Sequence, residues 1–113
     1  MGRQRRYVTV AGAAVVAPTA PTLTAPADLA QLPKEVGATV SATVTAGQVP
    51  DRIDFVLAPG IGEEVVATDS ASPYSQTWTP TAGQVGVHTI VARFVYGSGS
   101  VDSTAANIEV TAA

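Results

Sequence analysis

From Gly37 onward, apolar side chains recur at every second position. In residues 37–47, GATVSATVTAG, Val40, Ala42 and Val44 alternate with Thr39, Ser41 and Thr43. In residues 51–60, DRIDFVLAPG, Ile53, Phe55 and Leu57 alternate with Arg52, Asp54 and Val56. In residues 87–96, VHTIVARFVY, His88, Ile90, Ala92, Phe94 and Tyr96 alternate with Thr89, Val91, Arg93 and Val95. A period of two sends successive side chains to opposite faces of a strand, so each segment predicts a strand with one face in a core and one in water. EEVVATD (63–69) and YSQTWT (74–79) predict shorter strands, and a last one lies within VDSTAANIEV (101–110), closing on Ile108 and Val110. Ala58-Pro59-Gly60 and the YGSGS run from Tyr96 supply turn chemistry between them. One segment, ADLAQLPKE (27–35), carries a helical spacing that Pro33 limits to about a single turn.

About seven short strands separated by turns predict an all-β protein, an antiparallel β-sandwich of two packed sheets. The domain is expected over residues 22–113, behind an extended N-terminal arm at 1–21. The connector APTAPTLTAP (17–26) is semi-rigid, because Pro18, Pro21 and Pro26 oppose helix and favour extended backbone.

The first twenty residues, MGRQRRYVTVAGAAVVAPTA, have the outline of a secretory leader: a basic start, an apolar run and then small residues. The run holds no Leu, Ile or Phe, is broken by Thr9 and Gly12, and falls short of the roughly 20 residues that span a bilayer as a helix. The segment is therefore expected to remain as an arm. Alternation of Tyr7, Thr9 and Ala11 with Val8 and Val10 suits a strand. Such a strand either adds to another subunit's sheet or a partner's surface, or folds back on its own domain. On the first reading Arg3, Arg5, Arg6, Tyr7, Val8 and Val10 are the partner-binding residues.

Charge sharpens this division. The chain has six Lys and Arg against nine Asp and Glu, a net charge of −3. Arg3, Arg5 and Arg6 are half of the basic residues, so the body is strongly acidic and the tip basic. An acidic body disfavours nucleic-acid binding by the domain. With no Cys and one His, disulfides and zinc sites of Cys or several His are excluded. A Ser/His/Asp triad would need Asp69 or Asp102 beside His88, and no Gly-x-Ser-x-Gly elbow is present. Asp51, Asp54, Glu63, Glu64 and Asp69 are expected on solvated strand edges rather than around a cation. No catalytic, cofactor-binding or metal-binding residue is expected, and the chain does not read as an enzyme.

Residues 66–110, VATDSASPYSQTWTPTAGQVGVHTIVARFVYGSGSVDSTAANIEV, resemble the second half of bacterial immunoglobulin-like domains. The matching positions are Asp69, Pro73, Tyr74, Ser75, Thr77, Trp78, Gly86, His88, Thr89, Ile90 and Ala92. The likeness extends over about residues 22–111. It departs at Pro59-Gly60, where Asp-Gly is usual, and at Tyr96-Gly97-Ser98-Gly99, where an acidic turn is usual. The resemblance implies an immunoglobulin-like sandwich whose core includes Val40, Val44, Ile53, Phe55, Tyr74, Trp78, His88, Ile90 and Phe94. Tyr74 and Trp78 stand four apart on one strand and share a face. They are expected to plug the sandwich; a sugar-stacking platform is the competing reading.

The family is used chiefly as one bead in long secreted chains. A single domain behind an arm resembles phage virion accessory proteins such as capsid decoration proteins. The resemblance therefore implies a non-enzymatic structural protein on the capsid surface. Its arm would hold the major capsid protein or neighbouring copies, and its outer loops would make weak contact with host-surface glycans, without nucleic acid or membrane. The alternative is a secreted, extracellular carbohydrate-binding or adhesin module.

Overall fold

A computed structural model describes residues 18–60 and 62–112. The arm residues Arg3, Arg5, Arg6, Tyr7, Val8 and Val10 lie outside the described residues. Nine strands follow one another: β1 (Thr22–Ala25), β2 (Ala30–Pro33), β3 (Ala38–Thr43), β4 (Arg52–Leu57), β5 (Glu64–Asp69), β6 (Tyr74–Trp78), β7 (Gly86–Tyr96), β8 (Gly99–Asp102) and β9 (Ala106–Thr111). One sheet has the order β1-β3-β6. The other has the order β2-β9-β7-β4-β5, with β8 also paired to β7.

Beyond β1, which forms within the extended connector, two departures from the sequence reading account for the larger strand number. The segment at 27–35 is not a helical turn. Its centre is β2, paired in parallel with β9, from Ala30 opposite Ile108 to Pro33 opposite Thr111. A helix this short has little stability of its own, whereas β9 offers a ladder and a place for Leu32 against the core. Pro33 is tolerated because β2 is an edge strand. This pairing is the one parallel contact between strands that are otherwise antiparallel among the described residues.

The last predicted strand is split in two. β8 pairs with Arg93–Tyr96, and β9 with Gly86–Ile90. At the break the buried Ser103 hydroxyl accepts the Ala92 N–H at 2.9 Å and donates to the Thr104 carbonyl at 3.0 Å. The Ser103 N–H also reaches the Ala92 carbonyl at 2.8 Å. The side chain thus meets a backbone need that the interrupted ladder leaves open.

The core lies between the sheets. Val40, Ala42, Tyr74 and Trp78 enter from one, and Ile53, Phe55, Leu57, Ile90, Ala92, Phe94, Ala106, Ile108 and Val110 from the other. Val44, one residue past β3, is partly buried against this cluster. His88 keeps the inward parity of β7 but is only half-buried. The expected wet face of β4 is also partly covered. Val56 is buried opposite the buried Val91, and Asp54 is buried beneath its own hydrogen bonds. Its carboxylate accepts the Arg52 Nε–H at 3.1 Å and the Thr68 hydroxyl at 2.9 Å. Burial of that carboxylate is tolerable because it is paired.

Candidate functional site

The aromatic pair comes first, because an exposed pair would define a sugar site. Trp78 and Tyr74 are only 4% and 6% exposed, so neither ring offers a stacking face. Trp78 is anchored through its indole N–H, which donates to Gln84 Oε1 at 3.3 Å. Gln84 sits in a short 3-10 turn, Ala82–Gln84, on the link from β6 to β7. The same Oε1 accepts the Thr81 N–H at 2.9 Å, and Nε2 donates to Glu64 at 3.0 Å. The Gln84 carbonyl accepts from the His88 ring. His88 therefore ties the β6–β7 link to β7, and its described contact is with a backbone carbonyl rather than an acid or nucleophile. Sequence reasoning passed over Gln84. The signal available was the lone Trp itself, since a buried indole N–H needs an acceptor.

Among the described residues, five of the twelve charged side chains pair with one another. The Arg93 guanidinium is held between two carboxylates. It donates to both oxygens of Glu63 at 2.9 and 2.8 Å, and to Asp102 at 2.7 and 3.1 Å. The Gly60 N–H also reaches Glu63, at 2.6 Å, so the β4–β5 loop is fastened down onto β7. These bonds, Arg93's first and then that of Gly60, hold the Glu63 carboxyl at about 2, against its ordinary 4.5. The folded value lies below the unfolded one. The loop's fastening is therefore fully present above about pH 4.5 and is lost as the pH falls through about 2. An NMR titration of the side-chain carboxyl should give a midpoint near 2, and Arg93→Gln should raise it toward the usual carboxylate range, with the Gly60 N–H still lowering it. A wild-type midpoint near 4.5 would show that the clamp does not form.

Asp69 explains a phrase of the sequence. Its carboxylate accepts the N–H of Ala71 at 3.1 Å and of Ser75 at 3.0 Å, and these bonds lower its pKa, that of Ala71 most. One acid thus closes the loop that delivers Pro73 and Tyr74 to β6. Among the described residues no group of three or more His, Cys, Asp or Glu is placed to hold a metal ion.

What remains is surface. The outward side chains of the β1-β3-β6 sheet are Thr22, Thr24, Thr39, Ser41, Thr43, Ser75 and Thr77, all hydroxyl-bearing and mostly exposed. Thr39 stands opposite Thr77, Ser41 opposite Ser75, and Thr43 opposite Thr22. The Thr24 and Ser41 hydroxyls share a 2.7 Å hydrogen bond. No residue of these three strands is charged. Every charged residue carried on a strand (Arg52, Asp54, Glu64, Asp69, Arg93, Asp102 and Glu109) belongs to the other sheet. This sheet also has an open edge at β5, which has a partner, β4, on one side only among the described residues.

Known structures share this architecture. Fibronectin(III)-like modules of CbhA from Clostridium thermocellum superpose with a TM-score of 0.66 at 21% identity, covering 80% of this chain and 94% of theirs. An engineered protein matches with a TM-score of 0.54 at 23% identity, covering 93% of this chain but 22% of its own. At these identities the likeness is one of fold. No curated protein sequence matches the chain. A family model described as a bacterial Ig domain matches residues 18–92, a span that runs from the start of the described residues through β1 to β6 and into β7. That match covers well over half of the sequence, and with the two-sheet sandwich it shows that the chain belongs to the bacterial Ig domain family.

Proposed function

We propose that this protein is a non-enzymatic interaction module that a basic N-terminal arm fastens to a large protein assembly, in the manner of a phage capsid decoration protein. Bacterial Ig and fibronectin(III)-like folds typically carry no catalysis, which supports the non-enzymatic part. The observation that carries the rest is the separation of charge. Arg3, Arg5 and Arg6 precede a domain whose described residues hold three basic and nine acidic side chains. A basic tip is drawn to acidic protein surfaces, the body of a neighbouring copy among them, so the separation of charge suits the arm to contact with a partner. In this reading the arm contacts the major capsid protein or neighbouring copies, and the sandwich stands outward on the virion surface. The sugar-platform alternative loses its main support, because both rings are buried.

Removing residues 1–17 tests the reading. The domain should melt at the same temperature, since the described core is built by residues 23–110, while co-sedimentation with phage capsids is lost. Equal co-sedimentation of both forms, or none by either, would overturn the anchoring role.

A further inference from the structure

We infer that the free edge of β5 receives the arm of a neighbouring copy as an added strand. This rests on the arm's being an anchor, and it names one surface on which the anchor lands. The sandwich offers edges at β1, β2, β5, β6 and β8. Proteins blunt such edges with short strands, Pro, charged side chains (Lys above all) and bulges, and Gly weakens a strand. β1 is four residues long and lies between Pro21 and Pro26; β2 is also four and contains Pro33. β8 is four residues and begins with Gly99. β6 has five residues, with Pro73 immediately before it and Pro80 two residues beyond. β5 is the longest edge, EVVATD, and has neither Pro nor Lys nor Gly within it. Its one irregularity is a bulge at Val66, between the pairs Phe55–Ala67 and Val56–Val65. Val65 there is 52% exposed, an apolar contact standing at the open edge.

Charge picks the occupant. Glu64, whose described partner is the neutral Gln84 amide, lies at one end of β5 and Asp69 at the other, Glu63 being committed to Arg93, and no basic residue is carried on the strand. The arm presents Arg3, Arg5 and Arg6 directly before Tyr7–Ala11, whose alternation suits a strand. Backbone pairing would supply the affinity, with the arginines set against the acidic ends. Residues 1–17 extend at most about 60 Å, ample to reach a second molecule. The extended, proline-rich lead into β1 favours reaching outward over folding back. Its start is fixed at one corner by the Thr19 N–H on Gln48 Oε1 at 3.1 Å.

Because the chain has no Cys, disulfide trapping is direct. A full chain with Val8→Cys is mixed with a second bearing Val65→Cys and oxidised. The expected result is a disulfide-linked pair of unlike chains, absent when Thr24→Cys on β1 replaces the β5 partner. Sedimentation velocity of the unmodified chain should show self-association that molar salt weakens. Val65→Lys, which leaves the melting temperature near wild type, should abolish it, as should removal of residues 1–17. A chain that stays monomeric throughout, or one whose association survives Val65→Lys, overturns the inference. Capsid co-sedimentation is read separately. If arm removal abolishes it while Val65→Lys leaves self-association intact, the anchor reading stands and the β5 assignment falls.

Discussion

Phe55→Ala is expected to cost about 3–5 kcal/mol, among the largest losses from a single side chain in this domain. The ring is fully buried in the centre of the sandwich. Its cross-strand neighbours on the same face are Ala67 on β5 and Ala92 on β7. Two alanines cannot swing inward to fill the space, so the cavity would persist and the cost should fall toward the upper end of that range. Native domains hold only about 5–15 kcal/mol in total, so the variant would be marginal at best. Urea denaturation followed by circular dichroism would measure it. A loss below about 1.5 kcal/mol, the range of a mere Ile→Val trimming, would mean that the core collapses around the gap. Ile53→Val, a smaller deletion on the same strand, provides the internal scale.

Gln84→Ala should also be damaging, though less so, and for a different reason. The change removes few apolar atoms but takes the acceptor from the Trp78 indole and from the Thr81 N–H, and the donor from Glu64. Leaving buried donors without partners costs about 1–3 kcal/mol. For a domain of this size that is on the order of 10 °C in melting temperature. Trp78 is the only tryptophan, so its fluorescence reports the site without labelling. Emission should shift to the red as water replaces the glutamine. An unchanged melting temperature and spectrum would show that the indole does not depend on Gln84.

The strands with one wet face were plain from the sequence. β3, β4 and β7 alternate over six or more residues, and the buried face of each is the predicted one, down to Val40, Ile53, Phe55, Ile90 and Phe94. β2 was hidden because four residues are too few to show a period, and because its reason for being a strand is the distant β9. The split between β8 and β9 was hidden for a related reason. Ser103 stands in for a ladder bond with its side chain, and nothing in the letters STAA distinguishes that from a plain loop. Val56 and Asp54 on β4 show a further limit. Alternation predicts direction, but burial depends on what the neighbouring strands bring alongside. The surfaces were less legible than the core. The hydroxyl face is scattered over three segments that only the topology brings together, and the openness of β5 is a property of its position.

That hydroxyl face has a thermodynamic consequence of its own. Lys, Arg and Glu side chains surrender up to about 2 kcal/mol of rotamer freedom each when a surface is covered. Threonine is short and β-branched, and on a strand it is already confined to few rotamers. Five threonines and two serines, Thr24 and Ser41 locked to each other, make a surface whose side chains are largely set before anything touches it. Covering it would freeze almost nothing, and the cost of contact would be the dehydration of its hydroxyls.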